Sequence, residues 1–541
     1  MTEKWRLNGW ISTAWGIALI AAIPIFTIFF YLPLGGAGSW SHLWQTTLPD
    51  YLLNTFSLML MVAVIAGSIG ITTAWLITTT DFPARRLLSW MLILPLAAPA
   101  YIVAYVYTDF LSFAGPVQSG LRSAFGWGMG DYWFPPIRNI PGAALMLGLV
   151  LYPYVYLLAR AAFAAQSLSQ FQAARSLGIG PGRAFFQIAL PCARPAIAGG
   201  LALVLMETLA DYGVADYFAI PTFSTGIFRN WLAMGDKQAA MTLAAIMLLF
   251  VMLLLWLESG SRKGRVASGD GLASTMPRRK LNASKAALAT LCCAMPVLLG
   301  FVIPTLILLH YATNVGDGQG WIELWQYMQG SLWLAAIVAI VAVCLSLLLA
   351  YAQRSSNSPV GKAAIRVATL GYALPGALLA VGLLAPLGIF DQWITGLSRN
   401  NFGYTGGLLL TGSGAILVYA LIVRFLTVSF NSISGQMTKI PPSMDAAARS
   451  LGATPGRLIR KIHMPILRGS LAAGAMLVFV DVLRELPATL ILRPFNLETL
   501  ATRVYRLASD ERLAEASTSA LLIVIAGLLP VLLLNRFAQK G

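Results

Sequence analysis

The chain has 541 residues, of which 58% are apolar and only 11% charged. Soluble domains carry about 25% charged residues, so an ordinary water-soluble globule is excluded. The formal net charge of +16 could suit nucleic acid, but the Lys and Arg are scattered between apolar runs and form no single stripe, which excludes that partner as well.

In chain order, twelve apolar segments are predicted as membrane helices, near 12–33, 52–78, 88–112, 141–163, 194–212, 238–258, 285–311, 330–352, 364–389, 407–429, 469–483 and 514–535. The expected fold class is an all-α polytopic membrane protein. The first run follows Lys4 and Arg6 and exceeds the core of about 7–15 residues found in a signal peptide, so it is expected to be a span. Acidic residues interrupt the fifth and eleventh segments. Prolines sit inside several, as in "LPLAAPA" (94–100) and "ALPGA" (373–377), which membrane helices tolerate where neighbours satisfy the freed carbonyls. Cys192, Cys292, Cys293 and Cys344 show no metal-ligand spacing and read as reduced filler.

Segments 34–51 and 312–328 contain no Lys or Arg, whereas 259–285 is rich in them. The positive-inside rule therefore predicts that both termini face the cytoplasm. The stretch 259–284, rich in Ser, Gly and charge, reads as a cytoplasmic linker.

The sequence repeats itself across that linker. The phrase AARSLG occupies 173–178 and again 447–452, and "AWLITTTDFPARR" (74–86) aligns with "AYAQRSSNSPVGK" (350–362), bringing Pro83 onto Pro359 and Arg86 onto Lys362. Each half holds six predicted spans, so both insert the same way up, as a parallel repeat about an axis along the membrane normal. The expected units are 1–258, with a cytoplasmic loop at 164–193, and 285–541, with one at 430–468.

Within each loop, Ala, Arg and Leu favour a helix that Gly178 or Gly452 would end in a left-handed conformation. Pro181 and Pro455 suit the first turn of a second helix, and Thr454 suits its N-cap. Two short helices with a sharp bend are expected. At this point the chain resembles a known family. The spacing of two alanines, a glycine four residues on, then Ile-x-x-Pro is the EAA signature of permease subunits of bacterial ABC importers. It falls on Ala173, Ala174, Gly178, Ile188 and Pro191, and on Ala447, Ala448, Gly452, Ile462 and Pro465. Gln172 and Ala446 stand where Glu is usual, and Met464 where Leu is usual. The resemblance implies the type I ABC importer permease fold. It also implies an ATPase-coupling role for these residues, together with Arg175 and Arg449. No GxxxxGK[ST] phosphate loop is present, so the chain is expected to bind no cofactor itself, with ATP and Mg held by two copies of a cytoplasmic ABC ATPase.

Charge inside a membrane costs about 2.5–3.5 kcal/mol per residue on insertion scales and usually marks function. Glu207 and Asp211 in "METLADYG" and Asp481 and Glu485 in "VDVLREL" are each spaced i,i+4 and share a helix face. The repeat would gather these four carboxylates around one axis, where with Tyr212, Asp216 and Tyr217 they would suit transient ligation of a hard cation such as Fe3+. A local alternative is an ion pair between Asp481 and Arg484, with Asp216 in an external loop.

The segment 481–517 is similar to the C-terminal segment of fused ferric-iron permeases, as are "PGALLAVG" (375–382) and 439–452. This resemblance implies import of Fe3+ through a bacterial inner membrane, with a periplasmic ferric-binding protein as partner. Thiamine or an aminoalkylphosphonate remain alternative cargoes. A twelve-helix secondary transporter is the alternative of another class, although it would have no use for the coupling loops. The three histidines, His42, His310 and His463, lie far apart in the chain, and an enzyme is not expected.

Overall fold

The computed structural model describes residues 9–31, 43–128, 130–166, 176, 180–262, 278–316, 320–355, 358–403 and 405–540. Among them, eleven helices are long and apolar enough to cross a membrane, and a helix pair bent by 90° makes up to twelve. Their backbone groups are satisfied within each segment, as a hydrocarbon solvent requires. Large apolar side chains stay outward on these helices: Phe26, Phe30, Leu53, Trp256 and Trp333 are all more than 60% exposed, a surface that suits lipid.

The bent pair is the third expected span, which is not one helix. Arg85–Ala97 and Ala100–Phe125 meet at the break. Pro99 restricts the residue before it to extended backbone, and Ala98 accordingly takes φ −96° and ψ 124°. The second half repeats the device. A 3-10 turn Gly371–Ala373 leads to Leu374 at φ −84° and ψ 123°, and Pro375 opens the helix Gly376–Phe402.

The fifth and eleventh spans start earlier than hydropathy indicates, at Gly182 and Pro455, and run unbroken to Ala210 and Leu483. Charged residues such as Arg183, Arg457 and Lys461 dilute the apolar signal without ending the helix. Hence the second expected short helix of each loop is the first part of a long span. Each span carries a π-helical turn at the same place in the repeat, Phe185–Ala189 and Ile459–His463, a feature often found at functional sites.

Packing follows the repeat. Leu48–Thr79 packs on Ile140–Ala164 and Leu190–Ala210, and Trp321–Ser355 packs on Ala415–Met437 and Met464–Leu483. Gly200 lets Leu190–Ala210 approach Ile140–Ala164 closely, because a Cβ there would lie 2.8 Å from Val155 Cα. The first helix of each half lies on the other half. Gly9–Tyr31 packs against Trp321–Ser355, Pro359–Ala368 and Gly376–Phe402. Conversely, Ala283–Val297 packs against Leu48–Thr79, and Tyr107 OH donates to Leu299 O at 2.6 Å. A two-residue parallel ladder, Thr80–Asp81 with Arg279–Lys280, adds a further tie. Residues 263–277 of the expected linker lie outside the described residues.

Candidate functional site

The helices Leu190–Ala210 and Met464–Leu483 both stop inside the protein, and short helices, Gly213–Tyr217 and Pro487–Leu492, follow. Each break frees backbone N–H groups among buried residues, where an unsatisfied donor is costly. A carboxylate fills that role in each half. Asp211 Oδ2 accepts from Val214 N and Ala215 N, both at 3.1 Å. Glu485 accepts from Ala488 N at 2.9 Å, Thr489 N at 3.0 Å and Thr489 Oγ1 at 2.8 Å.

Between the breaks lies a cavity of about 140 Å³ lined by both halves, and all four expected acids reach it. They do not converge on a point. Glu485 also takes Arg424 Nη1 at 3.0 Å, and Gly376 makes room for that pair, since a Cβ there would lie 2.4 Å from Arg424 Nη1. Asp481 is paired with Arg484, whose Nη1 donates to Leu96 O at 2.8 Å and so bridges the halves. Glu207 accepts from Tyr372 OH at 3.3 Å. Among the described residues no three His, Cys, Asp or Glu side chains are grouped to hold a metal ion. The expectation that Glu207, Asp211, Asp481 and Glu485 form one metal-ligand set is thereby corrected: two of them cap helices, and two carry arginine partners. The ion pair between Asp481 and Arg484 is the local alternative realised. Arg424, Tyr154 and Tyr372 also line the cavity and were not singled out from sequence, because their partners lie far along the chain.

Asp216 belongs to the short helix Gly213–Tyr217, not to an external loop. Tyr505 OH, from the helix Leu500–Ser509, donates to Asp216 Oδ2 at 2.6 Å and lies 3.1 Å from Tyr212 OH. Tyr217 OH accepts from Arg138 Nη2 at 3.4 Å, and the same guanidinium reaches Glu511.

The loop of the second half is described in full. Pro442–Ser450 is helical, Gly452 takes φ +77°, and the Thr454 side chain caps the following helix at Arg457 N. Ala448 is buried, whereas Ala447, Arg449 and Pro465 are exposed and Ile462 is half-buried. Leu451, 86% exposed, and Met444 leave an apolar strip on the outer side. An ion-pair network holds the helix from within. Arg354 Nε donates to Asp445 Oδ2 at 2.7 Å, and Asp445 Oδ1 lies 3.0 Å from Nε2 of the fully buried His463. Arg354 Nη1 also donates to Met437 O at 2.8 Å. Burial pushes the Asp445 carboxyl up, but hydrogen bonds from Arg354 and His463 outweigh it and hold the group below the ordinary carboxylate range. In the first half, Ile188 and Pro191 are half-buried. Ala173, Ala174, Arg175 and Gly178 lie outside the described residues.

Comparison with known proteins agrees with this architecture. Residues 66–257 match the family described as "Binding-protein-dependent transport system inner membrane component". The chain is 23% identical to the Fe(3+)-transport system permease protein FbpB 2 of Haemophilus influenzae over 97% of its own length and 98% of that protein's. It is also 23% identical to the putative ferric transport system permease protein FbpB 1 of the same organism, over 77% of this chain and 65% of that one. The molybdenum transport system permease protein ModB of Escherichia coli is 29% identical, and 86% of its length is spanned by 36% of this chain. The fold is that of the type I ABC importer permeases, and the chain resembles a fused, two-repeat permease of the ferric-iron group.

Proposed function

We propose that this chain is the membrane permease of an ATP-driven importer that passes Fe3+ from a periplasmic binding protein to the cytoplasm. The observation that carries the reading is the cavity between two carboxylate-capped helix breaks, reached by four acids and lined by both halves. Similarity to a ferric permease over nearly the whole chain supports the cargo. The helix Pro442–Ser450, with its exposed Leu451 and Met444, suits a cleft on a cytoplasmic ATPase. The repeat supports a second docking site at 164–193 and hence two ATPase copies. The distribution of Lys and Arg supports an inner-membrane orientation with both termini inside.

One observation favours a second reading. Arg424 and Arg484 also line the cavity, and a permease named for molybdenum transport is among the relatives, so an anionic cargo is the competitor. Both arginines are paired with acids, which favours the cation. The test is uptake in proteoliposomes holding the chain, its ATPase and its binding protein. Radiolabelled ferric iron is expected to accumulate only with ATP inside the transport cycle, and molybdate and sulfate are not. Accumulation of an oxyanion without iron would reverse the assignment.

A further inference from the structure

A second group of oxygens gathers where the first half meets the helix Leu500–Ser509. Tyr212 OH, Tyr505 OH and Asp216 Oδ2 follow one another at 3.1 and 2.6 Å. Two more phenols stand beside them. Tyr101 is 6% exposed and Tyr105 0% exposed, and neither hydroxyl has a hydrogen-bond partner among the described residues. The Tyr105 ring lies 4.4 Å from that of Tyr217, and its hydroxyl interacts electrostatically with Tyr505, Asp211 and Asp216. Leaving a buried hydroxyl unsatisfied costs about 1–3 kcal/mol. Two such groups side by side, on a network of phenol and carboxylate oxygens, mark a place arranged for something that binds oxygen.

We propose that Tyr212, Tyr505 and Asp216, with Tyr105 as a fourth oxygen, form a transient Fe3+ site beside the central cavity. The proposal rests on the reading of the cargo as ferric iron. The three oxygens follow one another at 3.1 and 2.6 Å, close enough to share one small cation once the phenol protons between them are lost. The chemistry is suitable too, because phenolate and carboxylate are hard ligands and no thiol or imidazole belongs to the group. Four protein oxygens leave two octahedral positions for water or for ligands the ion brings with it. That incomplete shell lets the ion leave again, as conduction requires. Each phenol that coordinates gives its proton to solvent. Tyr212 and the adjacent Asp211 both line the cavity, so the site hands the ion directly to the acids within.

The test uses the full-length chain in lipid nanodiscs, titrated with ferric nitrilotriacetate and followed by visible phenolate-to-iron charge-transfer absorbance. Wild type is expected to develop the band. Tyr505→Phe and Asp216→Asn should each weaken ferric binding roughly tenfold or more, and Tyr212→Phe with Tyr505→Phe, which leaves only the Tyr105 phenol, should strongly diminish the band while thermal unfolding shows the variant folded. Tyr311→Phe, which breaks a phenol–carboxylate pair elsewhere with Asp109, should leave it intact. No band in wild type, or an undiminished band in the folded double variant, overturns the site. Iron uptake measured in parallel separates the two claims: a chain that imports iron without the band loses this site but keeps the permease reading.

Discussion

Asp211 and Glu485 hold the same place in the two halves, and each accepts the N–H groups three and four residues ahead of it. A charge that looks like cargo chemistry is in both cases also the cap of a helix that restarts inside the membrane. The two differ in what else they hold. Only Glu485 carries an arginine, Arg424, so equivalent substitutions in the two halves have unequal consequences.

Glu485→Ala removes a cap and leaves the Arg424 guanidinium, itself only 12% exposed, without its partner. Breaking a buried pair in this way costs about 3–5 kcal/mol. The variant should express poorly or unfold at markedly lower temperature in detergent. Asp211→Ala, which also removes a cap but strands no arginine, should cost only about 1 kcal/mol. Equal thermal shifts in the two variants would contradict this difference.

Among the described residues Glu207 caps no helix and makes no close ion pair, and its hydrogen-bond partner is Tyr372. Glu207→Gln preserves that hydrogen bond and removes the charge. The variant should fold and insert at least as well as wild type, because it removes a charge from the membrane interior, while iron uptake per inserted molecule falls several-fold. Unchanged normalised uptake would remove Glu207 from the path.

At Gly452, φ is +77° and a Cβ would meet nothing within 4 Å. The cost of a side chain there is therefore purely conformational, roughly 1–2 kcal/mol, and falls on the bend that presents Pro442–Ser450. Gly452→Val should insert and fold normally, yet retain less ATPase in pull-down and drive less uptake. Full retention and full uptake would remove this bend from the coupling element.

The membrane spans were legible because burial in lipid needs only apolar length, and the repeat was legible because polar landmarks such as Pro83 and Pro359 recur with it. The bend at Gly452 and the cap at Thr454 were legible because each is local. The starts at Gly182 and Pro455 were not, since the helices continue through charged residues that hydropathy discounts. The four acids were placed at one cavity by spacing alone, but their chemistry was hidden. Tyr372 meets Glu207 across 165 positions, Arg424 meets Glu485 across 61, and Tyr505 meets Asp216 across 289. No local pattern encodes contacts of that range.

Sidedness has a direct test. With Cys192, Cys292, Cys293 and Cys344 replaced, a cysteine at the exposed Ser284 should resist an impermeant thiol reagent in intact cells, and one at the exposed Asn314 should react. The reverse pattern would place Pro442–Ser450 on the outer side, away from any cytosolic ATPase.

Asp445 has its pKa held below the ordinary value in the folded chain by Arg354 and His463, which together outweigh burial. A carboxylate whose folded pKa is depressed contributes stability that is complete above its unfolded pKa, about 3.9. That contribution is lost as pH falls through the lower, folded value. Between neutral pH and about 5 the Asp445 contribution should be constant, and below about 4 it should decline. Asp445→Asn removes the titration: at neutral pH the variant should unfold at lower temperature than wild type, because Arg354 and His463 lose a charged acceptor. In the acid range its melting temperature should fall less steeply, so that the two curves converge. Thermal unfolding in detergent from pH 7 to pH 3 measures both. Parallel curves over the whole range would show that Asp445 does not anchor the helix Pro442–Ser450 through its charge.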